Sequence, residues 1–142
     1  NKSRFSKTLS HICGMIPVDR GNVRNETMEC CQHQLKERWG LLIHPEGTRS
    51  ETGELGQFKK GAAVLAIETN VPIIPAYIHG AYDVYPKGSK WPKLFNFRRM
   101  RKYAVSVIYG NPIFPHGQTA EHLINQVKES ILTLKNDFAK AH

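Results

Sequence analysis

The stretch from residue 41 to residue 78 alternates between apolar and polar character in a way that few folds accommodate. Leu41-Leu42-Ile43 is short and wholly apolar, which predicts a buried strand, and it runs straight into a polar, glycine-containing stretch over 45–56. Residues 59–69 then bring Ala62, Ala63, Leu65, Ala66 and Ile67, a helix-forming set, with Asn70 placed to stop the helix in a left-handed conformation. Residues 71–78 return to an apolar run whose Pro72 and Pro75 predict an edge strand or a bulge. This order predicts an α/β fold, and such folds hold ligands in the polar loops at the ends of buried strands.

The flanks extend the pattern. Residues 12–18 are apolar but interrupted by Gly14 and Pro17, and predict a short strand ending in a turn at 19–21, with Arg20 at the strand end. Residues 22–39 contain no glycine or proline and place Met28, Cys31, Leu35 and Trp39 on one face, so a helix is predicted from a cap at Asn22 to a stop at Gly40. Residues 80–101 mix glycine, proline, lysine and aromatics without a period, which predicts a long surface excursion. Residues 103–109 predict the last strand. Thr119 caps a closing helix whose Leu123, Val127, Ile131, Leu134 and Phe138 form an apolar stripe. The expected architecture is a mixed sheet flanked by helices, in a single domain over residues 1–142 with no linker.

Charge narrows the partners. Twenty Lys and Arg against twelve Asp and Glu leave a net charge of +8, which draws phosphate groups, nucleic acid or an anionic membrane face. The three cysteines fit neither an even disulfide framework nor a metal-ligand spacing, and read as reduced thiols on half-buried helix positions. The apolar run at 71–78 is far short of the ~20 residues of a membrane-spanning helix.

The turn after Ile43 carries the chemistry. Glu46, Thr48, Arg49 and Ser50 surround Gly47, whose missing side chain lets the backbone approach a ligand closely. Arg49 offers a planar fork of donors for phosphate oxygens, and Glu46 accepts from a hydroxyl or holds that arginine in place. The same residues equally make an ordinary polar turn with an internal Glu-Arg pair, and on chemistry alone that reading leads. Gly56 to Gly61 has the glycine spacing of a P-loop, but Ala62 and Ala63 stand where the phosphate lysine and the magnesium hydroxyl belong. There is no Gly-x-Ser-x-Gly elbow for a serine hydrolase.

The whole string His44-Pro45-Glu46-Gly47-Thr48-Arg49-Ser50 resembles the Phe-Pro-Glu-Gly-Thr-Arg-Ser signature of the lysophosphatidic acid and glycerol-3-phosphate acyltransferase family, departing from it only at His44. Upstream, Gly14-Met15-Ile16-Pro17-Val18-Asp19-Arg20 resembles the family's Gly-x-x-Phe-Ile-x-Arg block, matching at Gly14 and Arg20. Downstream, Val71-Pro72-Ile73-Ile74-Pro75 resembles the family's Val-Pro-Ile-Ile-Pro block at every position, and residues 56–62 resemble its connection into the following helix. The resemblance implies that Arg20, Glu46, Gly47, Thr48 and Arg49 grip the phosphate of an acyl acceptor. Gly14, Ser50, Lys60, Pro72 and Pro75 would support them.

The family's own catalytic block, His-x-x-x-x-Asp, is not met: residues 16, 38, 49, 84, 121 and 127, each five past a histidine, hold no aspartate. The chain therefore reads as the later, N-terminally incomplete part of such an enzyme. The catalytic histidine is expected upstream of Asn1, and residues 1–142 alone are expected to be inactive.

The resemblance further implies transfer of a fatty acyl group to the hydroxyl of a lysophospholipid, first of all 1-acylglycerol-3-phosphate, in phospholipid biosynthesis. Acyl-CoA or acyl carrier protein would be the co-substrate, with no metal or other cofactor. Two other readings stand beside it. One is a noncatalytic binder of lipid or anionic membrane. The other is a basic nucleic-acid module built on Arg98, Arg99, Arg101 and Lys102 flanked by Phe95, Phe97 and Tyr103. Lys87, Lys90, Trp91 and Lys93 suit a membrane surface as well, and a lipid substrate favours the cytoplasmic face of a membrane over nucleic acid.

Overall fold

The computed structural model describes residues 14–16, 24–93, 95–96 and 101–141. They fall into two compact units, Asn1–Leu42 and Ile43–His142.

In the first unit, helix α1 spans Arg24–Lys36 and buries Cys31 on its apolar face, with Met28 and Leu35 half-buried beside it. Burial pushes the Cys31 thiol up, and the adjacent Cys30 adds to the shift. The expected stop at Gly40 gives way to Arg38, which takes the left-handed conformation at φ 64°. Its N–H bonds the Leu35 carbonyl and the Trp39 N–H reaches back to Gln34, the two bonds that close a helix end in a Schellman turn. Trp39 therefore lies outside the helix and is exposed. A β-carbon costs about 1 kcal/mol or more in this conformation, so Arg38→Gly should be more stable than Arg38→Ala by about 1 kcal/mol. Both variants lack the arginine charge, and their urea midpoints measure the backbone term alone.

Of the strand expected over 12–18, Gly14 stands in a turn at φ 62°, which breaks an extended run; Pro17, Val18 and Arg20 lie outside the described residues. Asn22 lies outside them too. Leu41-Leu42-Ile43 does not form the expected buried strand: Leu42 is 80% exposed and Ile43 37%. A strand needs a neighbour to satisfy its backbone groups, and among the described residues none pairs with these three.

The second unit combines helices with a small sheet. Helix α2, Gly61–Thr69, ends as its sequence predicts at Asn70, left-handed at φ 53°, whose N–H bonds the Ala66 carbonyl. The prolines delay the next strand. Pro72 and Pro75 lack ladder donors, so only Ile73 makes a bridge, to Ile113, and continuous pairing begins after Pro75 with β1, Ala76–His79. A short helix α3, Ala81–Val84, and the hairpin β2 (Phe95–Asn96) with β3 (Arg101–Lys102) occupy the predicted excursion. Strand β4, Ser106–Tyr109, lies antiparallel to β1 in the register Ala76↔Tyr109 through His79↔Ser106.

The closing helix α4, Ala120–Ala141, starts where Thr119 accepts the His122 N–H on its hydroxyl at 3.2 Å. Its stripe turns Leu123, Ile124, Val127 and Ile131 inward against α2 and β1. Leu123 is fully buried and meets Ala63, Ala66 and Ile124, with Phe58, Ile73 and Ile113 packed around them. Burying that one leucine stabilises the unit by roughly 1.5–3 kcal/mol. In the last turns of α4 the Phe138 ring lies 4.7 Å from the His79 ring at the end of β1, tilted to it by 37°.

Candidate functional site

Residues 44–60 form an irregular loop whose shape is set by its own polar groups. The Gly47 N–H bonds the His44 carbonyl at 3.0 Å and opens a turn, and the Lys59 N–H bonds Pro45 at 2.8 Å and closes the loop's base. Glu46 spans the interior: its Oε2 accepts the Gly56 N–H at 2.9 Å. A β-carbon at position 56 would stand 2.8 Å from that oxygen, so Gly56 is the residue that lets the carboxylate in. The internal Glu46-Arg49 pair of an ordinary polar turn is not formed. The acid is spent on the loop backbone, and the guanidinium is held elsewhere.

Arg49 leans on the segment after α3. Its Cζ lies 4.1 Å from the centroid of the Tyr85 ring, and its Nη1 donates to the Pro86 carbonyl at 3.1 Å. The ring contact is made over Cζ and the Pro86 bond occupies Nη1, which leaves Nε and Nη2 as further donors. That segment and α3 before it clamp the residues that follow. Tyr82 donates its hydroxyl to the Glu51 carbonyl at 2.8 Å, its ring packs on left-handed Gly53, and Lys87 pairs with the Glu51 carboxylate. The hydrogen bond from Lys87, and then its charge, hold that carboxyl below the usual carboxylate range.

Gly47 is left-handed at φ 68°, and Lys59 Nζ crosses it so closely that a β-carbon would meet the amine at 2.9 Å. The cation over the Pro-Glu-Gly turn is therefore Lys59. Lys60 points to α4 instead, where it pairs with Glu121 at 3.0 Å. Ser50 acts on the backbone: its hydroxyl donates to the Glu54 carbonyl at 2.9 Å and accepts the Gly53 N–H at 2.8 Å. Thr48 is exposed, with only a long contact from its hydroxyl to the Arg49 carbonyl. Glu54 pairs with Lys135 of α4, a second tether between the loop and that helix.

The remaining residues are spread more widely. Pro75 is fully buried before β1 and accepts the Gly110 N–H at 2.8 Å, while Pro72 is exposed. Gly14 belongs to the first unit, is exposed, and has open space where a side chain would be. Arg20 lies outside the described residues. Tyr82, Tyr85 and Pro86 are not predicted by any spacing, because they come from the aperiodic excursion; the pair of tyrosines three apart after Gly80 is their one sequence signal.

An arginine set against a tyrosine ring, a turn closed by a carboxylate and a lysine across its glycine gather two cations on one polar loop of a helix-and-sheet unit. A sequence model of the Acyltransferase family matches residues 2–79, more than half of the chain, and the chain belongs to that family. It is 34% identical over 122 residues to a chloroplastic 1-acyl-sn-glycerol-3-phosphate acyltransferase of Arabidopsis thaliana, covering 84% of this chain and 32% of that protein. It is 30% identical to 1-acyl-sn-glycerol-3-phosphate acyltransferase alpha of Mus musculus, covering 87% of this chain and 43% of that one. Among solved structures it resembles the 1-acyl-sn-glycerophosphate (LPA) acyltransferase PlsC of Thermotoga maritima, with a TM-score of 0.59 and 26% identity over 78% of this chain and 44% of that chain. The chain thus spans between about a third and just under half of the length of these proteins.

Proposed function

We propose that the protein to which this chain belongs transfers a fatty acyl group from acyl-CoA or acyl carrier protein to the free hydroxyl of 1-acylglycerol-3-phosphate. The observation that carries the reading is Arg49, stacked on Tyr85 and anchored to Pro86, with donors left over, inside the Pro-Glu-Gly-Thr-Arg-Ser loop. In this reading the arginine binds the acceptor's phosphate and Lys59 adds a second cation. Glu46 fixes the shape of the loop by accepting the Gly56 N–H.

The acceptor oxygen attacks the thioester carbonyl carbon, a C–O bond forms, the C–S bond breaks and the thiol leaves. A histidine in a His-x-x-x-x-Asp block N-terminal to Asn1 takes the hydroxyl proton and passes it to the departing sulfur. Residues 43–142 would therefore position the acceptor and leave proton transfer to another part of the protein.

The lipid acceptor, the charge of +8 and Trp91, which is 82% exposed between Lys90 and Lys93 in sequence, support a seat on the cytoplasmic face of a membrane. No helix among the described residues is long and apolar enough to cross one. The test uses the protein extended upstream of Asn1, with acceptor as phosphate ester or as phosphate-free monoacylglycerol. The ester should be acylated roughly 100-fold faster at low concentration, the scale of losing charge-assisted hydrogen bonds. Equal rates would remove the anion grip, and failure with both acceptors would remove the reaction. Salt-sensitive binding to anionic vesicles, without binding to oligonucleotides, is the matching check of the membrane seat; the opposite pattern would overturn it.

A further inference from the structure

We infer that Tyr85 is a positioning residue for the acceptor: its ring sets the plane in which Arg49 meets an anion, and so sets the preference for a phosphate-bearing acceptor. The inference rests on the reading of Arg49 as the phosphate grip. It adds a determinant outside the matched family region, which ends at residue 79.

Geometry supplies the argument. A guanidinium binds phosphate edge-on, through N–H groups lying in its plane, so its usefulness depends on how that plane is turned. Arg49 is exposed, and an unsupported arginine there would sample many orientations. Two contacts restrict it in complementary ways. The Tyr85 ring, 4.1 Å from Cζ, gives the guanidinium a surface to rest against, and the Pro86 carbonyl, 3.1 Å from Nη1, anchors it while using one N–H. The remaining in-plane edge is left for the ligand.

The segment that carries Tyr85 is itself held to the loop. Tyr82 Oη bonds the Glu51 carbonyl, the Tyr82 ring covers Gly53, and Lys87 pairs with Glu51. These contacts bracket Tyr85 on both sides in sequence, so the ring and the guanidinium belong to one interlocked patch. The Tyr85 hydroxyl plays no part in the stack, which needs only the ring face.

The test compares Tyr85→Leu with Tyr85→Phe in the upstream-extended protein. Tyr85→Leu should raise KM for the phosphate-bearing acceptor about fivefold, leave KM for the acyl donor and the rate with phosphate-free acceptor unchanged, and lower the preference between acceptors by the same factor. Tyr85→Phe should restore all of these. An unchanged acceptor KM in Tyr85→Leu, an equal change in donor KM, or failure of Tyr85→Phe to rescue would each overturn the role.

A second readout needs no turnover. The Arg49 Nε–H resonance should carry a ring-current shift in the unsubstituted protein and in Tyr85→Phe, and lose it in Tyr85→Leu; its absence from the unsubstituted protein overturns the stack. If Arg49→Ala alters acceptor KM while Tyr85→Leu does not, this inference fails and the phosphate grip stands. If Arg49→Ala alters nothing, the phosphate grip fails, and this inference with it.

Discussion

Arg49→Ala in the upstream-extended protein should lower kcat/KM for the phosphate-bearing acceptor roughly 10- to 100-fold, the range expected for removing charge-assisted hydrogen bonds of about 1.5–3 kcal/mol. The loss should fall mainly on the acceptor's KM, because in the proposed reading the arginine grips a group that does not change during transfer. The rate with phosphate-free acceptor should stay near its unsubstituted value, so the preference between the two acceptors collapses. Arg49→Lys should recover little: a lysine supplies a point charge but neither the planar fork nor the face that rests on Tyr85. Steady-state kinetics with both acceptors decide it. A fall in kcat at constant acceptor KM would mean that Arg49 acts on the transition state and not on binding.

Gly80→Ala should destabilise the unit formed by residues 43–142 by about 3 kcal/mol. Gly80 is left-handed at φ 78°, and a β-carbon there would sit 2.2 Å from the Ala104 carbonyl oxygen. The backbone conformation accounts for about 1–2 kcal/mol and the clash for a further 1–3 kcal/mol. Gly88→Ala is the control. Gly88 is also left-handed, at φ 90°, but has open space where the β-carbon would go, so it should cost only the backbone part. Thermal or urea unfolding of the two variants isolates the contact with Ala104. Equal losses would show that the approach of Gly80 to the 104 carbonyl is not constraining. Because Gly80 also opens α3, a shifted backbone there would carry Tyr82 and Tyr85 away from the Arg49 loop.

The parts of this architecture legible in the sequence are those whose determinants are local. The stripe of α4 repeats with the period of a helix and buries Leu123, Val127 and Ile131 as that period requires. Asn70 stops α2 because a short polar side chain tolerates the left-handed conformation. The end of α1 was less legible: any residue can be forced left-handed by two backbone bonds, and Arg38 is, although glycine stands two residues later.

Within the site, the heptad marks the loop, and the partners that shape it are remote. Tyr85 and Pro86 reach Arg49 from an aperiodic segment, so no pattern in the chain joins them. The choice between Lys59 and Lys60 depended on which way each side chain leaves the start of α2, a property adjacent identical residues do not reveal. Glu46 and Arg49 have the spacing and charges of a pair, but the Gly56 amide claimed the acid first.

The tethers from α4 change what counts as a separable piece. The matched family region ends at residue 79, yet Lys135 and Glu121 of α4 hold the loop region through Glu54 and Lys60, and Leu123 and Ile124 complete the core under α2. A boundary drawn where the signature blocks stop would keep every recognisable motif and discard the scaffold that gives them a shape. Recombining this loop with another scaffold therefore means carrying the last helix along, as one inherits a keystone with its arch.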